Sequence, residues 1–119
     1  MATSRSGRQP AAWTGSASVF SGRPDPTWAV DDDVARELMD IWGALELWEG
    51  ALPSAPALGY RGCALRDRAG REWSTHGDVV RLTQDRSTQS RVDPERRFER
   101  RLLSSAPPGL LPPFAAGGG

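Results

Sequence analysis

Lysine and asparagine are absent from this chain of 119 residues, and isoleucine occurs once, at Ile41. All 15 basic residues are therefore arginines, set against 15 acidic ones for a formal net charge of zero. Lys, Asn and Ile share A/T-rich codons, so their joint scarcity points to a G+C-rich genome before it points to a selected arginine surface. A nucleic-acid-binding domain normally carries a basic excess; the neutral total argues against that class, although a basic face can sit within it. One cysteine, Cys63, excludes an internal disulfide framework and any multi-cysteine metal site, and it fits a reducing compartment. No apolar run approaches the ~18 residues of a membrane span. Arg5 and Arg8 are followed by no apolar stretch of the kind that marks a secretory leader. The expected location is the cytoplasm, with no membrane partner. A single histidine, His76, leaves metal chemistry without a second soft ligand. Neither a metal site nor a cofactor is expected.

What remains is enough for one domain. Residues 1–15 show no apolar periodicity and read as a disordered arm. Residues 105–119 are rich in proline and glycine and read as a disordered tail, because neither end buries enough apolar surface to offset the entropy of ordering it. The expected domain spans 16–104. At that size only about 60–65% of the unfolded chain's surface is buried, and a stability of about 5 kcal/mol is expected.

Within the domain, Ala17 to Phe20 reads as a short strand. It runs into Ser21-Gly22-Arg23-Pro24-Asp25-Pro26-Thr27-Trp28, where two prolines fix their own φ and push Arg23 and Asp25 to extended conformations. That octapeptide reads as a stiff, non-helical loop. Val34, Leu38, Ile41, Trp42, Leu45 and Trp48 then recur at helical spacing behind Asp31, Asp32 and Asp33, predicting an acid-capped amphipathic helix over 32–49. Gly50 and Pro53 stop it. Leu58 to Leu65 and Arg71 to Leu82 predict a β-hairpin, its second strand interrupted or bulged at His76-Gly77. Residues 83–92 are polar and read as a loop. Asp93-Pro94-Glu95 starts a helix over 94–104, with Phe98, Leu102 and Leu103 inward and Arg96, Arg97, Arg100 and Arg101 outward. The order strand, helix, strand, strand, helix defines an α+β domain with a small, mainly antiparallel sheet.

Three segments together carry a resemblance: Ser21 to Trp28, then Leu58-Gly59-Tyr60-Arg61-Gly62, then the stretch ending Glu99-Arg100-Arg101-Leu102-Leu103. The chain resembles small bacterial proteins of unknown function with an SGRPNPxW-like loop ahead of a helix and an LGYRGF-like strand after it. Asp25 stands here in place of Asn, and Cys63 in place of Phe. The resemblance covers residues 19 to 103 and implies no particular activity.

Candidate functional residues are few, and each has a structural alternative. Arg23, held extended before Pro24, offers a guanidinium fork to a carboxylate or phosphate, and Trp28 an aromatic face. Alternatively Arg23 pairs with Asp25, Asp78 or Asp93, and Trp28 plugs the helix onto the sheet. Tyr60 and Arg61 sit between glycines that admit a close approach, unless Gly62 only relieves crowding against Trp42 or Trp73. His76 with Asp78 reads first as a turn, and Cys63 as a small buried residue. Five tryptophans are many for this length; Trp48 and Trp13 have the weaker claims to burial, and exposed Trp and Arg favour protein interfaces.

The reading therefore favours a non-enzymatic binding or accessory module without catalytic residues. It contacts a protein partner or an anionic group through Ser21, Arg23, Asp25, Trp28, Tyr60 and Arg61. The alternative is a small enzyme holding an anionic substrate on Arg23 and Arg61, with His76 or Asp25 moving protons. A further alternative is nucleic-acid binding through the arginines of the last helix.

Overall fold

The computed structural model describes residues 12–19, 24–54 and 60–111. Among them the chain runs as β1 (Trp13–Ala17), β2 (Thr27–Ala29), α1 (Asp32–Ala44), β3 (Glu46–Trp48), β4 (Cys63–Asp67), β5 (Glu72–His76), β6 (Val79–Gln84), β7 (Ser87–Val92) and α2 (Arg97–Ser104). The seven strands form one sheet in the order β2-β1-β4-β5-β6-β7-β3, every neighbouring pair antiparallel. An antiparallel sheet with two helices is the expected class. The expected order of elements is too sparse, because β2, β3 and β7 arise where the sequence reads as loop, helix and loop.

Side chains alternate across the strands, and the two helices pack together on one face, α2 lying over β1 and β4. Cys63, Leu65, Trp73 and Val80 point into that layer and are buried against Ala35, Leu38 and Trp42 of α1 and Phe98, Leu102 and Leu103 of α2. Leu38, Leu65, Phe98 and Leu102 are fully enclosed, each stabilising the fold by about 1.5–3 kcal/mol relative to exposure. Ser16, Ala64, Ser74 and His76 occupy the alternate positions and face away from the helices.

The first strand begins at Trp13, inside the stretch expected to be an arm. Trp13 packs on Trp73 with ring centroids 5.8 Å apart. Gly15 lets the Trp28 ring lie directly on the strand, since a Cβ there would stand 2.6 Å from it. A Thr-Gly-Ser core of a strand carries no apolar alternation, and its partners lie far away in sequence. The expected tail boundary moves as well: Ser105 to Leu110 continue past α2 and Leu111 is buried.

Helix α1 ends at Ala44, earlier than the expected residue 49. Leu45 turns extended at φ −82°, ψ 150°, and Glu46–Trp48 pairs with β7 instead. Arg91 of β7 decides this: its guanidinium stacks 4.4 Å over the Trp42 ring and donates to the Trp42 carbonyl at 2.8 Å. That carbonyl also accepts from the Leu45 N–H at 3.1 Å, so the last turn of the helix and the side chain from β7 close on the same oxygen. At the other end Asp31 occupies the cap position without a side-chain capping bond, and Asp33 pairs with Arg36 at the surface.

The stretch 83–92, expected to be a loop, completes β6 and forms β7, joined at Asp85-Arg86 with Asp85 at φ 54°. His76-Gly77 is not a bulge within one strand. Gly77, at φ 62°, and Asp78 form a two-residue hairpin turn, with His76 opposite Val79. Such turns demand positive φ, which glycine supplies without strain. The last helix starts at Arg97 rather than residue 94. Arg96, at φ 53°, holds the cap position without a side-chain bond, while the carboxylate of Asp93, three residues earlier, accepts from the backbone N–H of Arg97 (2.9 Å) and Phe98 (2.8 Å).

Candidate binding face

The segments flanking β1 and β4 run side by side. The Arg61 N–H donates to the Ser18 carbonyl at 2.8 Å, and the Ser18 N–H to the Gly62 carbonyl at 2.9 Å. Gly62 sits at φ 132°, where an added Cβ would lie 2.6 Å from the Thr75 carbonyl oxygen. Glycine is therefore required by close backbone approach to β5, not by the tryptophans invoked from sequence. This contact brings the start of β4 against the end of β5.

A shallow depression of about 260 Å³ results on the face away from the helices, lined among others by Ser16, Ser18, Asp25, Arg61, Ser74 and His76. Arg61 is exposed, and its guanidinium has no ion-pair partner among the described residues. Asp25 stands exposed between its two prolines, and the Pro26 carbonyl accepts from the Ala17 N–H at 3.2 Å, tying that segment to β1. His76 Nε2 lies 3.0 Å from the Ser74 hydroxyl. Burial first, and then the nearby Arg81 charge, hold the imidazole below its ordinary pKa, so it is neutral at pH 7, its tautomer setting whether Nε2 donates to or accepts from the serine hydroxyl. Arg66 and Glu72 pair across the neighbouring wall at 3.5 Å.

Of the six residues expected to bind, Asp25 and Arg61 share this depression and His76 joins them. Trp28 is buried on the helix side, where its indole N–H donates to Ser105. Tyr60 also turns toward the helices: its hydroxyl donates to Glu99, and burial first, with the Glu99 bond adding to it, raises its pKa. Tyr60 thus anchors the approach to β4 on α2. Ser21 and Arg23 lie outside the described residues. Ser16, Ser18 and Ser74 escaped sequence reasoning. Only for Ser74 was there a signal, since its spacing of two from His76 puts both on one face of a strand.

Cys63 is buried beside Thr75, whose hydroxyl accepts from the Cys63 N–H at 2.9 Å. Among the described residues, no three His, Cys, Asp or Glu side chains are grouped to hold a metal ion, and no helix is long and apolar enough to cross a membrane. On the last helix Arg101 pairs with Glu37 of α1 at 3.0 Å and Arg96 approaches Glu99 at 4.0 Å, while Arg97 and Arg100 are exposed. Two of the four arginines are thus already engaged by carboxylates. Comparisons with family models, curated proteins and solved structures gave no match.

Proposed function

We propose that the protein is a binding module that takes an anionic group, of a protein or a smaller molecule, into the depression at the start of β4. The observation that carries this reading is the Arg61 guanidinium, without an ion pair among the described residues, beside the hydroxyls of Ser16, Ser18 and Ser74. A guanidinium fork with flanking hydroxyl donors suits a carboxylate or phosphate. The floor is built of strand residues, Ser16, Ser74 and His76 among them, while Ser18, Asp25 and Arg61 come from the segments flanking the strands. Inorganic phosphate titrated into ¹⁵N-labelled protein should shift Arg61, Ser74 and His76, and Arg61→Ala should weaken that response about tenfold. An unchanged response in the variant removes the proposal.

The Ser74–His76 hydrogen bond favours a second reading, a small enzyme acting on an anionic substrate held by Arg61. A neutral imidazole within hydrogen-bond reach of a hydroxyl is a base placed to activate it. Hydrolysis of an activated ester that is lost in both Ser74→Ala and His76→Gln would support it; turnover that survives either change would not.

A further inference from the structure

A second cleft, of about 470 Å³, opens at the far side of the sheet where β3 gives out. β3 pairs with β7 only as far as Trp48 opposite Ser90, whereas β7 pairs with β6 down to Ser87 opposite Gln84. Ser87, Thr88 and Gln89 therefore have a strand neighbour on one side only among the described residues. Thr88 and Gln89 line the cleft. Such an uncovered edge is a template for pairing with another extended chain.

The wall is aromatic and held in place. The Trp48 ring lies over Gly50, where a Cβ would be 2.7 Å from it, and its N–H donates to the Ala51 carbonyl at 3.1 Å. Trp48 nevertheless remains 38% exposed, and Leu47 beside it 60%. Arg81 completes the cleft. Its Nε is buried with no hydrogen-bond partner, and its guanidinium makes no ion pair, among the described residues. Glu49 lines the same cleft without pairing with it. The unmade Nε–H bond costs free energy, and a carboxylate reaching the unpaired guanidinium adds a charge-assisted bond.

We propose that this cleft accepts an extended peptide segment bearing a glutamate or aspartate. The segment adds as a strand along Ser87–Gln89, sets an apolar side chain against Trp48, which shares the face of Arg81, and places its carboxylate on Arg81. The unpaired backbone edge selects an extended peptide over a small anion, and the orphaned guanidinium selects an acidic one. This site is distinct from the Arg61 depression and stands whether or not that reading holds.

The test uses the full-length ¹⁵N-labelled protein and two acetylated, amidated pentapeptides, Val-Thr-Glu-Val-Leu and its Gln counterpart. The Glu peptide should shift the amides of Thr88 and Gln89 and the Trp48 indole N–H, and bind about tenfold more tightly than the Gln peptide. Arg81→Gln should abolish that preference, Trp48→Ala should weaken both peptides alike, and Arg61→Ala should change neither. If Arg81→Gln does not fold, the Glu-to-Gln ratio in the wild type and the Trp48→Ala result still decide. No shifts at millimolar peptide, equal affinity for the two peptides, or shifts confined to Arg61 and His76 would overturn the proposal. Self-association of the protein alone that Trp48→Ala abolishes would instead assign the cleft to a second copy.

Discussion

The indole N–H of Trp28 and the hydroxyl of Ser105, 77 positions apart, are joined by a hydrogen bond of 2.9 Å. The same hydroxyl donates to the Leu102 carbonyl at 2.6 Å, closing the end of α2. Edge strand β2 is thereby fastened to the segment that follows the last helix. Ser105→Ala leaves a buried donor unpaired and should cost about 1–3 kcal/mol. Trp28→Ala also empties the space over Gly15 and should cost about 3–5 kcal/mol. Urea midpoints compared with the wild type measure both, and an unchanged Ser105→Ala midpoint would show that the bond contributes nothing.

Two glycine-to-alanine changes should act in opposite directions. Gly62→Ala forces a side chain into φ 132° and against the Thr75 carbonyl. A loss of about 1–3 kcal/mol or more is expected, because the neighbour is backbone and cannot swing away. Gly43, in α1, has open space around its missing Cβ, so Gly43→Ala should stabilise by up to about 1 kcal/mol. Thermal melts of the two variants provide the comparison.

His76 gives stability a sign with pH. Its folded pKa lies below the ordinary 6.5 because burial and then Arg81 disfavour the charged ring. Below about pH 6.5 the unfolded chain takes up a proton that the folded chain refuses, so stability falls as pH drops through that window to the lower folded value. Ser74 hydrogen-bonds the ring, and Arg61 and Asp25 line the same depression. His76→Gln should flatten urea-derived stability between about pH 7 and about pH 5. A variant with the same slope as the wild type would place the responsible group elsewhere.

Cys63 should be inert while the protein is folded. Burial pushes its thiol up to about 12, against a smaller lowering by the hydrogen bond to Thr75. Almost no thiolate exists at pH 8, and the thiolate is the reactive form. Ellman's reagent should react at least about a hundredfold more slowly than with the urea-unfolded chain. Rapid labelling without denaturant would contradict the burial of this strand.

What the sequence revealed follows from the range of the interactions involved. The stripe from Val34 to Trp42 is local and is found where periodicity puts it, whereas Asp93 keeps its bonds to the helix N–H groups but the helix begins three residues later than its capping pattern implies. Leu45 and Trp48 continue the same spacing, yet their backbone leaves the helix. The deciding partner, Arg91, is 49 residues from Trp42, and no window along the chain contains both. β7 was hidden for a different reason: none of Ser87 to Val92 is fully buried, so no alternation of apolar and polar residues marks it. Of the candidate site, Arg61 and His76 stand out as residue types. Their meeting depends on the pairing of β4 with β5 and on the backbone contact that Gly62 permits.

The strand order has a consequence for how the chain comes together. β2 and β3 are the outermost strands, and both belong to the first half of the chain, linked through α1. That half is a bracket whose two jaws close on the second half, which supplies the middle of the sheet from β4 to β7. A cut between Ser54 and Tyr60 would yield two pieces, each missing what the other brings, and neither a smaller version of the whole. β3 has no strand to pair with until β7 has been made and has left the ribosome.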